Sequence, residues 1–222
     1  MKIAMLVYIL MPLSIILAFL WVPPAQFLGE ASRILYFHVP VAMVSVIAFF
    51  VSGIYSIIYL YDKEKKYKLL EEKSFNSARI GILFTILTII TGSIWAKISW
   101  GTYWNWDPRE SSIIILLLIY LAYFSLRSAL SNNSNKNMLT STYLIFAMIV
   151  VPFFVFIIPR VYPSLHPDPI INANREINLE EKMRLTLLIS VISFTMLFFY
   201  IFNLTNKLSI ITDKIEEKNY EE

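Results

Sequence analysis

Six long apolar blocks, each free of Asp, Glu, Lys and Arg, constrain this chain more than any other feature. They are Ile3–Val22, Ile34–Tyr61, Ile80–Ala96, Ser111–Leu126, Thr140–Pro159 and Leu185–Leu204. Most run 16 to 20 residues, near the ~20 that cross a hydrocarbon core of about 30 Å. Composition agrees: only 16% of the residues are charged, against about 25% in a soluble globular domain. The blocks predict an all-α, polytopic membrane helical bundle of six transmembrane helices. No internal repeat interrupts them, so residues 1–222 read as one domain.

The basic residues orient the bundle. Lys2, the Lys63–Arg79 loop, Arg127, Lys136 and the tail place twelve Lys and Arg on one side, against seven on the other. The richer side is cytoplasmic by the positive-inside rule. Both termini are therefore expected in the cytoplasm, with Val22–Arg33, Lys97–Glu110 and Arg160–Arg184 facing outward. The first block has a single Lys before it and no A-x-A site after it, so it reads as a retained anchor rather than a cleaved signal. The net charge of +3 follows from this asymmetry and implies no nucleic-acid partner.

The connectors carry less information. Asp62–Arg79 and Arg127–Leu139 are charged or Asn/Ser-rich and are expected to be solvated. The tail from Asn206 extends the sixth helix, and Asn178-Leu-Glu-Glu181 reads as a capping box at its start. Arg160–Arg184 differs: 25 residues is long for a connector, and unstructured loops beyond about 12–15 residues are usually functional or disordered.

Cysteine is absent. Thiolate metal sites, iron–sulfur clusters and C-x-x-C-H haem attachment are thereby excluded. The two histidines of the chain, His38 and His166, both fall near the outward ends of their blocks. Each alone reads as an ordinary interfacial side chain. As a same-side pair flanked by prolines they read as ligands, and Pro40 removes a helix donor beside the first. Between them lies Trp100-Gly-Thr-Tyr-Trp-Asn-Trp-Asp107. An interfacial aromatic belt accounts for one or two of its rings; four aromatics in seven residues also offer flat walls for a planar ligand. Asp107-Pro-Arg-Glu110 is a helix start, with Asp107 as N-cap, Pro108 at N1 and Glu110 at N3. Arg33 and Arg109 could each pair with a carboxylate or reach to headgroups.

Haem meets these features together: His38 and His166 as axial imidazoles, Trp100, Trp104 and Trp106 as walls, Arg33 and Arg109 for the propionates. A zinc site would want three or four protein ligands. The aromatic run resembles the WWD motif of the haem-handling proteins of cytochrome c biogenesis. Phe37-His-Val-Pro40 and Leu165-His-Pro167 resemble the two histidine signatures that flank it. With six spans the chain is similar to the CcmC type over about residues 33–204. The resemblance implies non-covalent haem b on His38 and His166 at the extracytoplasmic face, contacted by residues 100–107. It implies delivery to a haem chaperone, with ABC transporter subunits and a small membrane subunit as partners. A transfer module is thus expected rather than an enzyme. The runner-up is a cytochrome c haem ligase component, which would carry extra spans and histidines. A b-type electron-transfer subunit would want four histidines across the bundle, and a transporter would want buried charge at the midplane.

Overall fold

A backbone in lipid finds no water to satisfy its amides, so each apolar block must close its own hydrogen bonds as a helix. The structure is a computed structural model that describes residues 2–26, 28–62, 68–166 and 179–221. Helix α1 is Lys2–Ile16, prolonged by a wide π turn at Leu17–Trp21. A 3-10 turn, Glu30–Ile34, leads into α2, Leu35–Tyr61, which runs unbroken through Pro40. Then come α3, Lys68–Trp100, α4, Pro108–Ala129, and α5, Lys136–Pro152. Pro152 removes an amide donor; the chain widens into a π turn at Phe153–Ile157 before the short α6, Ile158–Val161. Helix α7 is Glu181–Glu221. Six of these stretches are long and apolar enough to cross a membrane. The chain is an integral membrane protein.

Helix α2 is the centre of the bundle. It packs along α3 as an antiparallel hairpin and also meets α5 and α7, while α1 leans on α7. One buried cluster joins α2 to α3, α4 and α5 through Phe49, Ala78, Leu116, Tyr120, Leu144 and Val151. A second joins α2 to α3 and α7 through Val44, Ala48, Ile80, Phe84, Phe198 and Phe202. Lipid tails are as apolar as these side chains, so close fit rather than water exclusion holds the helices together, and small residues set the spacing. Gly53 lies against Met148, and Gly81 against the Tyr120 ring, with no room for a Cβ.

The connector Asp62–Arg79 is not solvated throughout as expected, whereas residues 131–135 of the other connector are exposed. Helix α3 begins at Lys68, and Glu71, Ser74, Asn76 and Ser77 are buried. Ser74 bonds to Ser56 Oγ at 2.7 Å and to the Ser52 carbonyl at 2.8 Å. Asn76 donates to Asn206 and Ser209, both at 3.0 Å, and Ser77 to the Ala48 carbonyl at 2.8 Å. Glu71 forms an ion pair with Arg127, whose guanidinium also lies over the Phe75 ring at 4.1 Å. These polar residues point to three different neighbours, α4, α2 and α7, and are satisfied across helices, which a hydropathy window cannot register. Arg127 is therefore a half-buried partner in α4 and not part of a loop. Asn178 lies outside the described residues; α7 begins at Glu181 and carries the tail from Asn206 as one continuous helix.

Candidate functional site

One face of α3 organises the end of the bundle near Trp100. Thr91, Gly92 and Trp95 are spaced to share that face. The His38 imidazole of α2 rests on its lower part: Nδ1 is 2.9 Å from Thr91 Oγ1. A Cβ on Gly92 would fall 2.9 Å from His38 Cε1, so the absent side chain is what admits the ring. One turn further along α3, roughly 6 Å at 1.5 Å per residue, Trp95 meets His166. Their rings are 5.4 Å apart at 32°. Trp100 closes on the same imidazole edge-on at 4.7 Å, and on Trp95 at 4.7 Å. Two histidines far apart in sequence thus sit on successive turns of one helix face. Measured along α3, His38 lies about two turns inside the Trp100 end.

Gly101 ends α3: its φ of 83° is the left-handed conformation that glycine adopts freely, and its amide bonds to the Lys97 carbonyl at 3.1 Å. The following loop is held from α4. Glu110 Oε2 accepts from the Asn105 amide at 2.7 Å and the Asp107 amide at 3.2 Å. Asp107 returns the bond as N-cap, completing a capping box. Between them Trp106 takes φ +57° and is 76% exposed, an unfavourable backbone for an aromatic residue.

Asp107 also reaches beyond its own helix. Oδ1 accepts from the Arg109 amide at 2.9 Å and lies 2.8 Å from His166 Nδ1. Oδ2 accepts from Ser164 Oγ at 2.8 Å and the Leu165 amide at 2.7 Å. One fully buried carboxylate thus caps α4 and fixes the segment that presents His166. Burial raises the Asp107 pKa, but these bonds and the neighbouring His166 outweigh it and hold the carboxyl below its usual value. Burial lowers the His166 pKa, with Arg109 adding to the effect and Asp107 opposing it; the net shift is downward. The imidazole is therefore neutral near pH 7, the form that binds a metal.

The chain matches the sequence profile of the family described as Heme exporter protein C (CcmC) over residues 1–221. It belongs to the heme exporter protein C family. A Heme exporter protein C of Bradyrhizobium diazoefficiens is 32% identical over 77% of this chain and 63% of its own length. That of Haemophilus influenzae is 27% identical over 89% of this chain and 79% of its own. A ccmC-like mitochondrial cytochrome c biosynthesis protein of Marchantia polymorpha is 42% identical over 46% of this chain and 44% of its own. The matched stretches thus span 44% and 63% of the Marchantia and Bradyrhizobium relatives.

Within this heme exporter protein C bundle the expected site residues do not all gather. His38, Trp100, Asp107, Arg109 and His166 do. Trp104 and Trp106 pair edge-to-face at 5.8 Å and make their ring contact with each other. Arg33 bonds to Glu30 at 2.5 Å, to the Ala18 carbonyl, and to the Val22 carbonyl at 3.2 Å. Its guanidinium staples the end of the first crossing to the start of α2. Trp95, Thr91 and Gly92 escaped the sequence reading, although a tryptophan in the last turns of an apolar block was a signal available for the first. Among the described residues no group of three or more His, Cys, Asp or Glu could hold a bare metal ion.

Proposed function

We propose that this chain carries haem as cargo, held between His38 and His166 at the extracytoplasmic face, and hands it to a haem chaperone for cytochrome c assembly. The observation that carries this reading is the pair of imidazoles on successive turns of α3, each with Nδ1 engaged by a protein partner. That leaves Nε2 of each as the nitrogen for a metal. An iron that brings four equatorial nitrogens needs only two axial ligands, which suits two histidines and no third ligand. The absence of cysteine makes the bond to the cargo non-covalent, as in haem b.

The surrounding groups fit the same cargo. Trp95 and Trp100 wall the histidine, and exposed Trp106 and Tyr103 present aromatic faces at the rim. Arg109 suits a propionate, as does Asn105 Nδ2, a buried donor without a partner in this structure. Arg33 serves the site through the α1–α2 staple rather than through the cargo. The names of the relatives support a role in haem handling. On this reading the partners are ABC transporter subunits, a small membrane subunit and the chaperone. The positive-inside asymmetry supports cytoplasmic termini in an inner membrane, with the site end facing the periplasm or its equivalent.

The deciding experiment is the absorption spectrum of detergent-purified protein beside His38→Ala and His166→Ala. A low-spin spectrum in the parent, altered in each variant and restored by added imidazole, is the expected result. An unchanged spectrum in both variants would sink the ligand assignment.

A further inference from the structure

The hydrogen atoms of the two imidazoles can be placed from their partners. Thr91 Oγ1 has one proton and lies 2.7 Å from the Leu87 carbonyl oxygen. Two oxygens at that separation need a hydrogen between them, and a carbonyl has none to give. The hydroxyl therefore turns a lone pair towards His38, 2.9 Å away, and Nδ1 must supply the hydrogen. At His166 the partner is a carboxylate 2.8 Å from Nδ1, again an acceptor, so Nδ1 carries the hydrogen there too. Both rings then present a bare Nε2.

The partners are unequal. A bond to an ionised carboxylate is roughly twice as strong as a neutral one. By drawing on the Nδ1 proton it also makes Nε2 a stronger donor to metal. Asp107 is itself held by three further hydrogen bonds from Arg109, Ser164 and Leu165. Thr91 is a hydroxyl already committed to its own helix, and Gly92 holds the His38 ring by close approach alone. We infer that His38 and His166 are unequal ligands: His166, backed by Asp107, retains the iron, and His38, backed by Thr91, is the one that lets go at handover. Thr91 and Gly92 are thereby positioning residues for the releasing ligand. The inference rests on the haem-carrier reading above.

The first test needs no haem, so its failure is separable from failure of that reading. With two histidines in the chain, 15N-histidine labelling gives two imidazoles, assigned by His166→Ala. Long-range 1H–15N correlation of the haem-free protein should show Nε2 unprotonated in both rings. Thr91→Val should shift His38 towards the other tautomer and leave His166 unmoved, while Thr91→Ser keeps the parent pattern. A protonated Nε2 on His38 in the parent, or no response to Thr91→Val, overturns the assignment. The second test uses haem-loaded protein. His38→Ala should keep five-coordinate haem at several-fold higher occupancy than His166→Ala. Thr91→Asp, which puts a carboxylate behind His38, should slow release to an apo-globin acceptor by about tenfold, the low end of outer-partner effects on metal affinity. Equal haem loss from the two alanine variants, or unchanged release from Thr91→Asp, overturns the ranking of the ligands.

Discussion

Asp107 Oδ1 lies 2.8 Å from His166 Nδ1 while the same carboxylate caps the first turn of α4. The position of one candidate ligand is thus set by a helix start, and any change at residue 107 acts on fold and site together. The two effects can be separated by chemistry. Asp107→Asn keeps an acceptor for the cap, and N-cap Asn and Asp are close to equivalent. It should unfold between the parent and Asp107→Ala, because its single oxygen cannot serve both Arg109 and Leu165, and it should hold haem less tightly, because the charge behind His166 is gone. Asp107→Ala loses the cap, about 1 kcal/mol, and the part-buried bond to the Leu165 amide, a further ~0.5–1.5 kcal/mol. Thermal unfolding beside haem occupancy distinguishes them; equal melting of the two variants would contradict the capping role.

Trp106 combines a left-handed backbone with 76% exposure. Holding a bulky residue there costs on the order of 1–3 kcal/mol, and the exposed indole returns only its edge contact with Trp104. Trp106→Gly is expected to stabilise the haem-free protein by about 1 kcal/mol and to lower haem occupancy or transfer. Both are read from one preparation, by unfolding and by absorbance. Lower stability with full transfer would mean that the ring serves the fold.

Glu71 and Arg127 join α3 to α4 at the end of the bundle opposite the histidines. Removing one partner leaves a charge without its counter-ion. Glu71→Gln or Arg127→Met should each destabilise by about 3–5 kcal/mol, and Glu71→Leu with Arg127→Met should recover most of it. The check is a double-mutant cycle on unfolding in detergent. Additive losses would show that the pair is uncoupled.

The pH dependence follows from His166. Its folded pKa lies below the usual 6.5, so between that lowered value and 6.5 the unfolded chain binds a proton that the folded chain does not. Stability therefore rises with pH across this window. Asp107 acts in a lower one: its contribution is present above the usual 3.8 and is lost as pH falls through the depressed folded value. Haem-free protein should be less stable at pH 5.5 than at 7.5, and His166→Asn should reduce that difference. An identical slope in the variant would assign the dependence to other groups.

Much of the architecture was legible because hydropathy is a local property. An uncharged apolar block of about 20 residues has one stable solution in lipid, so six blocks announced six helices. The inner turns of α3 were not legible: Glu71, Ser74 and Asn76 look like loop residues until Arg127, Ser56 and Asn206 are beside them. The site divided in the same way. His38, His166 and the run from Trp100 to Asp107 stood out by rarity and clustering. Thr91 and Gly92 stand out in no window, and Trp95 was marked only by its place in the last turns of its block.

The helix count, the start at Asp107 and the residue types available for ligation could be read from the chain alone. Each of these depends on a few consecutive residues or on the period of one helix. Which side chains meet was settled by packing between helices. Packing α2 against α3 sets His38 on Thr91 and Gly92, and the return of the chain after α6 sets His166 against Asp107, Trp95 and Trp100. Packing also took Arg33 away for the α1–α2 staple. Those choices rest on close approach between separate helices, and contact across a bundle leaves no period along the chain.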